Sequence, residues 1–151
     1  MKAVIQRVSR ACVRVDGETV GAIDHGILAY IGIGHDDDIE TGKKLIDKIL
    51  TYRIFENQDD AQKAGKLDLN VTQVGGGLLL VPQFTLMANT NSGRRPDFGG
   101  AMRPDLAKAL FDEVVTYAKA SFASVETGQF GANMQVDNSN DGPLTFLLEV
   151  Q

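Results

Sequence analysis

The chain has 151 residues, 43% of them hydrophobic and 23% charged, a composition that fits one globular domain and excludes disorder, collagen and coiled coil as its main description. Fifteen basic against twenty acidic residues leave a formal net charge of −5, which argues against broad nucleic-acid binding, because a basic face supplies most of that affinity. No apolar run approaches the roughly 20 residues of a membrane span, and Gln6, Arg7 and Arg10 interrupt any signal-peptide core at the start.

Cys12 is the single cysteine, so no intrachain disulfide can form, and the expected compartment is a reducing cytoplasm. With no internal repeat, low-complexity tract or linker, residues 1–151 read as one domain.

The first third is strand-like. Ala3 to Val8 alternates and is rich in β-branched residues, and Ala11 to Val15 and Thr19 to Ile23 flank Asp16-Gly17, a strong hairpin signal. Ile27 to Ile33 is nearly all apolar, as expected of a strand buried on both faces. Asp36-Asp37-Asp38 then opens a helix, where acids cap free amides and meet the positive dipole end. Ile39, Leu45, Ile46, Ile49 and Leu50 supply its period.

Asn57 to Leu67 is a polar loop. Asn70 to Val74 and Leu78 to Val81 read as strands around Gly75-Gly76-Gly77, the second continuing into Gln83-Phe84-Thr85-Leu86. Pro82 inside that run predicts an edge or a bulge, since proline cannot donate to a ladder. Ala88 to Arg103 is a loop. Pro104 suits a first helical turn, and Leu106, Ala109, Leu110, Val114, Tyr117 and Ala118 mark a second amphipathic helix to about Phe122. Met134 to Val136 and Leu144 to Val150 return to strand. The order predicts an α/β fold of layered mixed sheets with two main helices.

Few residues offer ordinary side-chain chemistry. His35-Asp36-Asp37-Asp38 could ligate a divalent ion, but lacks the alternating spacing of a calcium loop and reads better as a loop with a helix cap. Gly75-Gly76-Gly77 could cradle phosphate, yet no Lys-Ser or Lys-Thr pair follows, and a hairpin is the stronger reading. No Gly-x-Ser-x-Gly elbow is present. His25 and His35 both lie in turns, and Cys12 reads as a small core residue.

Two segments stand apart. Gln83-Phe84-Thr85-Leu86 and Asn140-Asp141-Gly142-Pro143-Leu144-Thr145 resemble the two signature motifs of the D-aminoacyl-tRNA deacylases. Ile5-Gln6-Arg7-Val8, Tyr52-Arg53-Ile54-Phe55, Leu69-Asn70-Val71, Arg95-Pro96-Asp97-Phe98 and Thr127 to Val136 resemble other family segments in the same order, so the resemblance runs the length of the chain. One position departs: the family usually has serine where this chain has Pro82. A related animal branch that clears a misplaced L-amino acid carries proline there, but alanine where this chain keeps Phe84.

The resemblance implies the family fold and a homodimer with two sites at its interface, acting without metal or cofactor. It implies hydrolysis of the ester between a D-amino acid and the 3′-terminal adenosine of tRNA, with only the acceptor end gripped and no DNA or membrane partner. Gly142-Pro143, in cis, would project from one chain into its partner's pocket, braced by Arg7. Backbone there would occupy the space of an L side chain and spare a D one; selection works by exclusion. Glycine would escape rejection, which adds Gly mischarged on tRNA-Ala as a second substrate.

In family terms the amides of Phe84 and Thr85, next to Gln83, would hold the carbonyl oxygen, while Phe130 and Met134 line the adenosine pocket. Arg94, Arg95 and Arg103 are candidates for phosphate contact by charge and loop position. Two other readings remain open from the sequence: an editing esterase for a misplaced L-amino acid, and a non-catalytic nucleotide- or RNA-binding dimer.

Overall fold

The computed structural model describes residues 1–91 and 93–151; the part of the Ala88 to Arg103 loop at Ser92 lies outside the described residues. The first strand, β1, runs unbroken over Lys2–Val15, joining two segments that the alternation suggests are separate. Asp16 and Gly17 turn the chain with φ of 50° and 84°, as a two-residue hairpin turn requires. β2 (Glu18–Ile23) and β3 (Gly26–Gly32) follow. β3 pairs with the first half of β1 and β2 with the second, both antiparallel.

Helix α1 spans Ile39–Thr51. The Asp38 carboxylate accepts from the Thr41 amide and hydroxyl, each at 2.8 Å, satisfying a donor that the first turn leaves free. Leu45, Ile46, Ile49 and Leu50 are buried as their spacing predicts, each such side chain contributing about 1.5–3 kcal/mol. The two-residue β4 (Phe55–Glu56) and three-residue β5 (Leu67–Leu69) pair with each other.

Asn70 to Val74 is not a strand. Asn70 and Gln73 exchange bonds, each side-chain oxygen accepting from the other's amide at 2.9 and 3.0 Å. That local bonding wins over the ladder, as asparagine commonly does in turns. The glycine run leaves this turn, with the Gly76 amide donating to Val71, and so is not the tip of a hairpin.

β6 (Gly77–Pro82) lies in the interior of the sheet, parallel to β3 on one side and to β7 (Val125–Thr127) on the other. Pro82 is therefore not on an edge strand. The Leu80 carbonyl accepts from Gly128 beyond the end of β7, and the Gln83 amide donates to Ile31 of β3. By alternation the nitrogen of Pro82 faces the side where β7 has ended, so its missing donor breaks no ladder bond. β6 then stops: Phe84–Met87 is a 3₁₀ turn rather than further strand.

Helix α2 spans Pro104–Ser121, with Pro104 in its first turn. Ala107, Leu110, Phe111, Val114 and Ala118 are buried. Leu106, which the helical period assigns to the inner face, is exposed instead. The last strand, β8 (Gln135–Glu149), runs antiparallel along β1. It is one strand where the composition suggests two strands and a turn, and β7 has no sequence signal beyond a short β-rich stretch.

The result is α/β, a six-stranded mixed sheet with two helices and a separate β4–β5 pair. β3 and β6 are buried on both faces. Ile27, Ala29, Ile31, Leu78 and Leu80 pack with the helices, while Leu28, Leu79 and Val81 join Val8, Ala11 and Val13 in a second cluster. Gly26 and Gly77 meet where β3 and β6 begin; a Cβ on Gly26 would lie 2.0 Å from the Gly77 carbonyl oxygen. Cys12 is half-exposed on β1, with its sulfur 3.8 Å from the Thr19 hydroxyl, and is not a core residue. No helix among the described residues is long and apolar enough to cross a membrane.

Candidate active site

The end of β6 opens onto an apolar cavity of about 230 Å³. Ile31 of β3 with Ile33 beyond it, Pro82, Gln83 and Phe84, and the start of α2 at Pro104 and Ala107 form its walls, and Met102, Phe130 and Gly131 complete it. No imidazole, carboxylate, amine or thiol lines it among the described residues.

The 3₁₀ turn begins where β6 loses its partner. The amides of Phe84 and Thr85 have no acceptor among the described residues, whereas those of Leu86 and Ala88 donate to Gln83 and Thr85. First-turn amides of any helix lack an internal partner; here Phe84 lines the cavity and Thr85 follows it in the turn. The Gln83 side-chain amide donates to the Thr85 hydroxyl, so that hydroxyl is already engaged with a neutral partner, and no base bonds to it among the described residues.

Phe130 lines the cavity as a half-buried ring, its centroid 6.2 Å from that of Phe111 in α2. Met134 is not a wall residue. Its sulfur accepts from the Gln129 amide at 3.4 Å, and it packs against the second cluster. The wall residues of β3 and α2 have no mark in the sequence beyond apolarity, because only the fold brings them to one place. Pro104, at a helix start directly after the long loop, is the single local signal.

Gly142 and Pro143 lie elsewhere. Gln6 of β1 faces Thr145 and Val8 faces Asn140, so β8 fits the four residues 141–144 opposite Arg7 alone. The excess bulges outward and leaves Gly142 and Pro143 exposed. The Asn140 side chain ties the bulge by accepting from the Leu144 amide at 3.1 Å. The peptide bond between Gly142 and Pro143 is cis, and Gly142 has φ +126°, a value L side chains rarely adopt. Arg7 is buried beneath the bulge. Its Nε donates to the Asp141 carbonyl at 3.2 Å and its Nη1 to the Ile54 carbonyl at 2.9 Å. Arg7 and Asp141 line a polar cleft of about 520 Å³ with His25, Phe55 and Gln73 that shares no residue with the apolar cavity.

The acidic run before α1 is engaged in structure. Asp37 accepts from the Met1 ammonium at 2.5 Å and the Gly34 amide at 2.6 Å. The Thr41 amide, then its hydroxyl, holds Asp38 below the ordinary carboxylate value. Arg103 is bound to Asp105, with Nη2 donating at 3.0 Å, which lowers the Asp105 carboxyl. Burial raises the Tyr30 hydroxyl. None of these shifted groups lines the apolar cavity.

The fold and the cavity thus define an α/β protein with an apolar cavity at the end of β6 that no acid–base pair lines among the described residues. The family described as D-Tyr-tRNA(Tyr) deacylase matches residues 4–149. A D-aminoacyl-tRNA deacylase of Psychrobacter arcticus is 66% identical over 150 residues, 99% of each chain. One of Acinetobacter baumannii strain AYE is 58% identical over 151 residues, covering 100% of this chain and 99% of that one. A solved structure of a c-Myc DNA unwinding element binding protein superposes with a TM-score of 0.92 at 36% identity, covering 100% and 99% of the two chains. Another, described as a probable eukaryotic D-amino acid tRNA deacylase, shares the fold with a TM-score of 0.83 at 17% identity over 99% and 98%. The chain belongs to the D-Tyr-tRNA(Tyr) deacylase family.

Proposed function

We propose that this chain, a D-aminoacyl-tRNA deacylase by family, hydrolyses the ester between a D-amino acid and the 3′-terminal adenosine of tRNA. It acts over residues 1–151 as one domain, and two copies build two sites. The observation that carries this reading is the separation of the two motifs. Gln83, Phe84 and Phe130 border the apolar cavity, while Gly142 and Pro143 stand exposed on a bulge outside it. One chain alone does not bring them together; a second copy can present its bulge to the first copy's cavity.

In this reading the adenosine rests against Phe130, and Met134 supports that wall from behind. The ester carbonyl oxygen points at the amides of Phe84 and Thr85. Water adds to the carbonyl carbon and its electrons move onto that oxygen, where each donor contributes roughly 2.7–4 kcal/mol to the transition state. The adenosine's neighbouring hydroxyl relays the proton from the water to the departing ribose oxygen. Carbon–oxygen cleavage then releases the free amino acid and tRNA. A substrate-borne relay suits a cavity whose described walls hold no base.

Carbonyls of the partner bulge accept from the substrate ammonium, a charge-assisted contact. The rigid Gly142–Pro143 backbone fills the space of an L side chain. A D side chain points away from it, and glycine has none to exclude, so Gly-tRNA-Ala is a second substrate.

The test is deacylation of D-Tyr-tRNA and L-Tyr-tRNA side by side, with and without EDTA, for the wild type and Pro143→Ala. Loss of the D-ester alone, unchanged by EDTA, supports the reading, as does attack on the L-ester by the variant. A variant that still spares the L-ester completely defeats the exclusion mechanism. Turnover of neither ester by a folded dimer defeats the enzymatic reading in favour of a binding module.

A further inference from the structure

From the contact between two phenylalanines we infer that Phe98 is a positioning residue for the reaction, holding Phe84 and the Phe84–Thr85 amides in their working direction. The inference rests on the reading of those amides as the carbonyl-oxygen donors.

The 3₁₀ turn is held at its far end, where Leu86 and Met87 lie close against Gly32 and Gly34, and is more open at its Phe84 end. None of its residues Phe84–Met87 is buried. Phe84 is 58% exposed, far more than a ring on a rigid scaffold needs to be. Behind it the Gln83 amide is anchored to Ile31. Ahead of it the contact that meets the ring is Phe98, with centroids 5.0 Å apart and planes tilted by 56°. An aromatic pair at this spacing is attractive beyond its buried area.

Phe98 is itself firmly placed. The strand-like bridge between Asn89 and Asp97 closes the loop before it, with the Asn89 amide donating to Asp97 at 2.7 Å. The Asp97 carboxylate accepts from the Gly99 amide at 2.9 Å. Beyond it the Ala101 amide donates to the Phe98 carbonyl at 2.9 Å, the His35 amide to Gly100, and the Met102 amide to Ile33. The loop backbone therefore sets where the Phe98 ring, itself 37% exposed, meets the exposed face of Phe84. Phe98 is not a wall of the cavity, so it acts on the reaction through Phe84. A donor turned away from its oxygen loses most of its effect, and misplacement of about 1 Å can cost 100-fold in rate.

The experiment is a double-mutant cycle on Phe84 and Phe98, read as kcat and KM for D-Tyr-tRNA together with thermal midpoints. Phe98→Ala is expected to lower kcat about tenfold with KM moved less than threefold. Phe98→Tyr restores the ring and should restore kcat, whereas Phe98→Leu should not. In the Phe84→Ala background Phe98→Ala should have no further effect on kcat, because the relayed contact is already gone. If Phe84→Ala lowers kcat but Phe98→Ala leaves it at the wild-type level, or multiplies the loss fully in the double variant, the role of Phe98 is overturned. If Phe84→Ala itself leaves kcat unchanged, the placement of the reaction at these amides fails, and the inference falls with it. A fall in thermal midpoint with kcat intact would mark Phe98 as structural only and also overturn it.

Discussion

Arg7 and Asp141 are joined twice across the β1–β8 pair: Nε donates to the Asp141 carbonyl at 3.2 Å and lies 3.1 Å from its carboxylate. Arg7 is only 8% exposed, so removing it strands the carbonyls of Ile54 and Asp141 and a half-exposed carboxylate. Arg7→Ala should destabilise the chain by about 2–3 kcal/mol and relax discrimination between D- and L-esters. Asp141→Asn keeps the backbone bond and should cost about 1 kcal/mol or less. Urea unfolding paired with the two-ester assay checks both.

The same bulge crowds and strains any side chain placed on its glycine. A Cβ on Gly142 would lie 3.2 Å from Nη2 of Arg7, at a φ of +126°. Gly142→Ala should therefore cost about 1–3 kcal/mol and disturb the Arg7 contact. Loss of stability with selectivity intact would separate the bulge from substrate choice.

A harder limit lies where β3 meets β6. The atom facing an added Cβ on Gly26 is the Gly77 carbonyl at 2.0 Å, part of the backbone and unable to swing aside. Gly26→Ala should cost about 3 kcal/mol, the upper end for overpacking. Gly17, at φ +84° with open space around it, should cost only about 1 kcal/mol as alanine. Denaturant midpoints of the two variants give the comparison.

Acid should act on stability through specific carboxylates. Hydrogen bonds hold Asp38 and Asp105 below the ordinary value of 3.8, from Thr41 and Arg103 respectively, and Lys2 lowers Glu149 from 4.5. A depressed folded value means that the unfolded chain binds protons first. These contributions are complete above the unfolded values and fade as pH falls through the lower folded ones. Unfolding free energy should decline below about pH 4, and Asp38→Asn should flatten that decline.

Turnover should follow the substrate instead. No titratable side chain lines the described cavity, while a carbonyl contact needs the substrate ammonium charged. After subtraction of spontaneous hydrolysis, kcat/KM should be level below about pH 7 and fall as pH rises through about 7.7–8.0, the ordinary α-amino range. A bell-shaped profile with a protein group near 6 would contradict the substrate-borne relay.

Much of the local structure was legible. Asp16-Gly17, the Asp38 cap and Pro104 act through one to four neighbouring residues, and each structures the chain as its chemistry dictates. The motif residues from Gln83 to Thr85 and Gly142 to Pro143 are visible as residues for the same reason. Pairing partners and burial are a different matter. Pro82 sits in a central strand because β7 stops one turn of the ladder short of it, and nothing near Pro82 in the chain records that. Leu106 satisfies a helical period yet is exposed, while Leu110 and Val114 of the same helix are buried. Asn70 to Val74 alternates like a strand but bonds within itself, since side-chain oxygens three residues away outcompete a distant partner. Short-range bonding is determined by adjacent residues, so the sequence by itself settled the turn, the caps and the identity of the motifs. The cavity that Phe130 and Pro104 both line, and the bulge that Arg7 braces, depend on which strands meet and in what register. Only the tertiary structure decided those, because register sums many weak contacts between residues far apart in the chain.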